Sequence, residues 1–410
     1  MKNIVGFCSM LLAMFCSSAS THAEEGWGDK LSSMVTDGKA SVDFRYRFEG
    51  VDEDGFADNA QASTLRSRLT LESATLNGFS ALLEMDDVRT VGVDDYNSTV
   101  NGKTQYPIVA DPEGTDLNQF WFKYSGNAFD GILGRQRILH GNQRFVGGVA
   151  WRQNEQTFDG IRGEAELWDS LNLDLSYVTQ VNRIFGPNDG ANPATFDGDN
   201  LFVRADYQMA EKHKLAGYAY LIHIDPQAGY ASGKTVDNSS DSLGLEYDGQ
   251  FDGLTVSAAL ARQTDAGDST LNYDANYYKL ELALILPAIK LNAGYEVLGA
   301  DNGVGFATPL ATLHKFQGWA DKFLSTPGDG VEDAYLGIHG KAGPVNLGAV
   351  YHDFQAESSS ADFGAEIDLV ATWPLNKQFS LQAKYADFDS NDSSRFADTT
   401  KGWLTLQLKL

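Results

Sequence analysis

Apolar and polar residues alternate along this chain nearly from end to end, and past the first two dozen positions no stretch stays apolar for long. The clearest series are Val42, Phe44, Tyr46, Phe48; Leu171, Leu173, Leu175, Tyr177; and Leu201, Val203, Ala205, Tyr207. Others follow at Tyr278, Leu280, Leu282, Leu284, at Ile289, Leu291, Ala293, Tyr295, and at Leu404, Leu406, Leu408, Leu410. In an extended strand residues two apart share a face, so each series marks one apolar strand face. The most notable apolar run, residues 282–289, is interrupted by Pro287 and is far shorter than the ~18 residues a membrane helix needs. The remaining choices are a soluble β-sandwich and a closed membrane barrel, in which alternation replaces continuous hydrophobicity.

The connections favour the barrel. Short turns are expected near residues 76–78, 168–170, 211–214, 251–253, 287–288, 342–344 and 375–377. Long polar loops are expected near 51–61, 91–116, 138–156, 185–200, 225–239, 265–275, 300–331, 355–361 and 387–400. Such sorting suits a transmembrane antiparallel up-and-down β-barrel of about eighteen strands, with short periplasmic turns and long extracellular loops. A sandwich has no reason to sort its loops. Tyr177, Tyr207, Tyr247, Tyr295, Tyr351, Trp373 and Tyr385 extend apolar series and suit the girdles at a bilayer interface. Within the longest loop, Leu310, Leu313, Phe316, Trp319 and Phe323 recur at helical spacing, which predicts a short amphipathic helix ending before Pro327.

Residues 1–23 read as an export signal. Lys2 precedes an apolar core over residues 4–15, and Thr21 and Ala23 supply the small residues of a cleavage site. Both cysteines, Cys8 and Cys16, fall inside it. The expected organisation is then an N-terminal periplasmic segment over 24–38 and an outer-membrane barrel over 39–410. With 56 acidic against 31 basic residues and a net charge of −25, nucleic acid is an unsuitable partner. His140, His213, His223, His314, His339 and His352 show no metal-ligand spacing. No G-x-S-x-G or P-loop is present. No cofactor, metal or catalytic residue is therefore expected.

Against the acidic background the arginines are concentrated: ten of fourteen lie between Arg45 and Arg162. Three R-x-R pairs stand out, Arg45/Arg47, Arg66/Arg68 and Arg135/Arg137, and strand periodicity points both members of a pair to one face. The last pair opens residues 134–160, GRQRILHGNQRFVGGVAWRQNEQTFDG, which also carry Arg144 and Arg152. One reading is a basic ladder that replaces water around carboxylates or phosphates, since the guanidinium fork fits those anions. The other is a set of braces to Asp43, Glu72, Glu84, Asp86, Glu164 and Glu166 across a wet interior. Candidate pore residues are Arg45, Arg47, Arg66, Arg68, Arg135, Arg137, Arg144, Arg152 and Arg162.

GRQR, NQRFVGGVAWRQNEQTFDG, LATLHKFQGWADKFLSTPGDGVEDAYLGIHGK and AVYHDF together resemble the alginate-export family of outer-membrane channels. The resemblance implies a monomeric barrel of roughly eighteen strands with an arginine-lined pore for anionic saccharide or other small anions. Arg135, Arg137, Arg144 and Arg152 are the positions it carries over to the pore. Two alternatives stay open: a structural or adhesive barrel plugged by its own loops, and an outer-membrane hydrolase. The expected location is the outer membrane of a Gram-negative bacterium, with membrane lipid as the surrounding partner.

Overall fold

A computed structural model describes residues 27–410; the expected signal segment lies outside them. Helix α1 (Trp27–Thr36) leads into eighteen antiparallel strands, all in one sheet. The first nine are β1 (Lys39–Glu53), β2 (Ala60–Glu72), β3 (Phe79–Asp95), β4 (Gly114–Ser125), β5 (Phe129–Gln136), β6 (Thr157–Trp168), β7 (Leu171–Asn182), β8 (Thr195–Ala210) and β9 (His213–Ile222). The second nine are β10 (Ser240–Phe251), β11 (Leu254–Asp265), β12 (Asp274–Ile285), β13 (Ile289–Leu298), β14 (Val331–Ala342), β15 (Val345–Gln355), β16 (Asp362–Pro374), β17 (Phe379–Ser390) and β18 (Thr399–Lys409). Each strand pairs with its sequence neighbours, and β1 pairs with β18, closing the sheet so that no edge is left. Closure continues past the last strand, where Val42 and Leu410 exchange backbone hydrogen bonds of 3.0 and 2.9 Å.

Alternation maps directly onto the two faces. On β18 Leu404 is 46% exposed while its neighbour Trp403 is 3% exposed. The leucines of that series face outward and the intervening residues face the lumen. The same holds for β12, where Tyr278, Leu280, Leu282 and Leu284 are all exposed. An apolar belt running round the whole barrel far exceeds the patches a water-soluble monomer exposes, and is the surface a bilayer covers. Exposed aromatics gather at the short-turn end: Phe79, Tyr124, Phe129, Trp168, Tyr207, Phe251 and Trp373. They form a girdle there, of which the sequence pattern marked Tyr207 and Trp373. The marked Tyr295, Tyr351 and Tyr385 are exposed as well, in the loop-side halves of their strands.

From β3 onward long and short connections alternate; the two before it, residues 54–59 and 73–78, are equal at six residues each. One short turn escaped the sequence reading, residues 126–128 between β4 and β5, because Gly126 and Asn127 sit beside strands rich in aromatics. The interior of so wide a barrel cannot be filled by wall side chains alone. Two long loops fill it instead. Ile138, Phe145 and Val146 of loop 137–156, and Phe306, Leu310 and Phe323 of loop 299–330, bury against Phe158, Phe202, Tyr218, Tyr277, Phe354 and Phe388 of the inner wall.

The amphipathic helix expected in loop 299–330 does not form. Only a 3-10 turn, Leu313–Lys315, is present. Gln317, Gly318 and Asp321 adopt positive φ, which no right-handed helix accommodates. A side chain at Gly318 would also strike the Glu366 carboxylate, 2.3 Å from its ideal Cβ position. The apolar residues are buried by the barrel wall rather than along one helical stripe.

Candidate functional site

Strand register explains the first two arginine pairs. Arg45 on β1 lies opposite Arg66 on β2, and Arg68 lies opposite both Asp43 and Asp86. All four arginines face the lumen and are buried. Arg68 makes a fork to Asp86 at 2.6 and 2.5 Å and reaches Glu155 at 2.6 Å. Arg66 pairs with Asp43 at 3.2 Å. Arg45 meets no carboxylate among the described residues; it donates to the Ala150 carbonyl at 2.8 Å, to the Gln153 side chain at 3.0 Å, and to the Arg152 carbonyl. Arg47 donates to the Trp151 carbonyl at 2.7 Å and lies over the Trp151 ring at 4.1 Å. These guanidinium groups supply the donors that the irregular, buried backbone of residues 150–152 requires.

Loop 137–156 therefore crosses the lumen, tied to β1 and β2 at one end and to β12 and β13 at the other. Arg144 anchors the far end, donating to Glu296 at 2.9 Å, Thr308 at 3.1 Å and Gln317 at 3.1 Å. Arg152 binds Glu49 at 2.9 Å, with Asp111 at 3.9 Å and Asp321 at 3.7 Å. Burial alone would lower the Arg152 pKa, but Glu49, Asp111 and Asp321 outweigh it and raise it. Arg137 reaches Glu84 and Glu155, each at 2.5 Å. Burial pushes the Glu155 carboxyl up, yet Arg68 and Arg137 hold it below the usual carboxylate range. Loop 299–330 crosses beside it, joined by Thr312 N–H to the Gln143 carbonyl at 3.0 Å and Gly147 N–H to the Leu310 carbonyl at 2.9 Å.

The third R-x-R pair breaks the shared-face expectation. Arg135 lies opposite Phe120 and two residues from Leu133, both exposed on the outer face, at 43% and 53%. Its fork closes on Asp159, its partner on β6, at 2.8 and 2.9 Å. Arg135 thus belongs to the exterior series. Arg137 follows the end of β5, where the chain has left the strand and turned inward. Arg162 faces the lumen and binds Asp174 at 2.9 Å through Nε, with Glu164 at 2.9 Å. Of the acidic residues expected as braces, Asp43, Glu84, Asp86 and Glu164 take that part, whereas Glu72 and Glu166 form no ion pair among the described residues.

Open space remains beneath the two loops, towards the short turns. The larger cavity, about 730 Å³, is roofed by Lys315, Phe316 and Trp319 and walled by Lys279, Glu281 and Tyr335. A second, about 540 Å³, is lined by His140, Arg162, Glu164, Asp174, Arg204 and Lys214. Sequence reasoning passed over Arg204, Lys214, Lys279 and Lys315, which occur singly and outside any repeated motif. Their signal was position alone: Lys279 sits on the polar side of the Tyr278, Leu280, Leu282 series.

A closed barrel with an apolar belt and a polar lumen narrowed by infolded loops defines an outer-membrane channel of the porin class. The chain belongs to the alginate export family, which its residues 39–296 match. No functionally curated protein matches it. Its fold is similar to Pseudomonas aeruginosa OccK3 (OpdO), at 15% identity and a TM-score of 0.68 over 94% of this chain and 99% of that one. It is similar also to Pseudomonas aeruginosa OpdK, whose structure was solved with vanillate, at 11% identity and a TM-score of 0.69 over 92% of this chain and 99% of that one. Acinetobacter baumannii OccAB4 aligns at 15% identity and a TM-score of 0.67, covering 91% and 98%.

Proposed function

We infer that the barrel is a monomeric diffusion channel of the Gram-negative outer membrane for anionic saccharides or other small anionic solutes. The observation that carries this reading is the loop-narrowed lumen, whose cavities set lysines and arginines among carboxylates, in a chain of the alginate export family. OpdK, of like fold, was solved with vanillate, itself a small carboxylate. The arginines divide the work. Arg45, Arg47, Arg68, Arg144 and Arg152 hold the loops that set the bore, and Arg66 braces Asp43 on the barrel wall. Arg137 and Arg162 keep 28% and 15% of their side-chain surface accessible and can meet a passing anion. Arg135, on the exterior series, has a structural role only.

A second reading, a barrel plugged by its own loops, draws on the hydrogen bonds that join the two infolded loops to each other and to the wall. Planar-bilayer recording with a salt gradient tests both. Discrete conductance with an anion-directed reversal potential supports the channel, and absence of conductance from folded protein supports the plug.

A further inference from the structure

The arginines that dominate the sequence are almost all committed to protein groups, so the anion contact in the larger cavity must come from elsewhere. Lys279 stands out among the lumen cations. Its side chain is 10% exposed, and its nearest carboxylate, Glu281, lies at 3.9 Å, beyond hydrogen-bond reach. Its ammonium has no hydrogen-bond partner among the described residues. Glu281 is itself engaged by the Tyr335 hydroxyl at 2.6 Å. Glu296, opposite Lys279 on β13, is turned to Arg144, to the Tyr277 hydroxyl at 2.7 Å and to Gln317. The carboxylates nearest Lys279 are thus occupied, while its ammonium is not.

Lys315 descends on the same space from the roof. It forms no ion pair among the described residues, and its ammonium donates to the Asn142 carbonyl at 2.9 Å. Burial, and next the charge of Lys279, pull its pKa below the ordinary lysine value. Two like charges therefore face one cavity with a single carboxylate, Glu281, near both. It is held by the Tyr335 hydroxyl and hydrogen-bonds to neither lysine, so an added anion would relieve the remaining repulsion. Phe316, Trp319 and Tyr335 line the same cavity with aromatic carbon.

We propose that Lys279 and Lys315 form the solute-binding subsite of this channel, taking the carboxylate of a small ring-bearing acid whose ring rests against Phe316, Trp319 and Tyr335. The subsite rests on the channel reading above and specifies it: selectivity resides in a lysine pair that the fold assembles, and the arginine motifs shape the bore. A cavity of about 730 Å³ admits a single ring acid with its water.

The test is bilayer recording of the full barrel as wild type, K279Q, K315Q and K279R, with correct folding checked by heat-modifiable gel mobility. Glucuronate and vanillate are the charged probes, and glucose is the neutral control. Wild type should be anion-selective and show saturable block of chloride current by at least one acid and none by glucose. K279Q and K315Q should each lower the anion-to-cation permeability ratio about twofold or more and abolish the block, and K279R should restore both. Block by glucuronate alone assigns a sugar acid, by vanillate alone an aromatic acid, and by both the shared ring carboxylate; each supports the subsite. An anion-selective wild type that neither acid blocks, or folded glutamine variants that keep block and selectivity, overturn it while leaving the channel intact. A wild type without anion preference removes the channel reading and the subsite with it.

Discussion

Lys384 on β17 donates to His314 Nε2 across 2.7 Å, joining the longest loop to the barrel wall. That bond leaves the His314 proton on Nδ1, which donates to Asp321 at 2.8 Å. Trp151 stacks on the imidazole with ring centres 4.1 Å apart, so both infolded loops meet there. Burial, and then the charge of Lys384, hold His314 at a pKa of about 3, from an ordinary 6.5. Between those values the unfolded chain binds a proton that the folded one refuses. Stability from this group is therefore complete above pH 6.5 and is lost as pH falls towards 3. Thermal melts of detergent-folded protein should drop between pH 7 and pH 4. His314→Gln, which can keep both hydrogen bonds without titrating, should flatten that slope. An unchanged slope in the variant would place the acid sensitivity elsewhere.

Strand faces can be tested on β18. Leu406→Arg puts a charge on the lipid side, at a cost of about 2–4 kcal/mol near mid-membrane, and should impair assembly. Gln407→Arg, on the lumen side where Gln407 now donates to Asp43 at 2.7 Å, should be tolerated. Heat-modifiable mobility of outer-membrane fractions reports both, and equal damage at the two positions would refute the register.

Arg144 is the far anchor of loop 137–156. Arg144→Gln strips a buried carboxylate, Glu296, of its cation and should cost roughly 3 kcal/mol. The expected results are protease nicking within the loop and a larger, noisier conductance from a barrel that stays folded. Loss of the whole barrel would show that the loop is needed for closure as well as for narrowing.

Processing after Ala23 is proposed from sequence alone. Mass spectrometry of outer-membrane protein should find Glu24 as the first residue, and recovery of Met1 would disprove the assignment.

Strand faces were legible because lipid demands an unbroken apolar series, as Phe44, Tyr46 and Phe48 show against Arg45 and Arg47. The site was less so. Arg135 and Arg137 look alike in sequence, yet one still belongs to a strand and the other follows its end, a boundary that no periodicity marks. The spacing of Leu310 to Phe323 imitated a helix because a loop pressed against a wall also needs apolar residues every few positions. Lys279 and Lys315 belong to a strand and to the turn of a distant loop, and only folding the loop inward makes them neighbours.

Pairing of β1 with β18 has a consequence for biogenesis. The first barrel strand to emerge has its final partner seventeen strands later, so the ring cannot close until β18 has been made. A product truncated before β18 would carry open borders on β1 and β17, each a row of unsatisfied donors and acceptors ready to recruit another chain. Closure thus acts as a check on the barrel itself: the seam forms only once β18 is present, and a barrel lacking it is left marked for aggregation or removal.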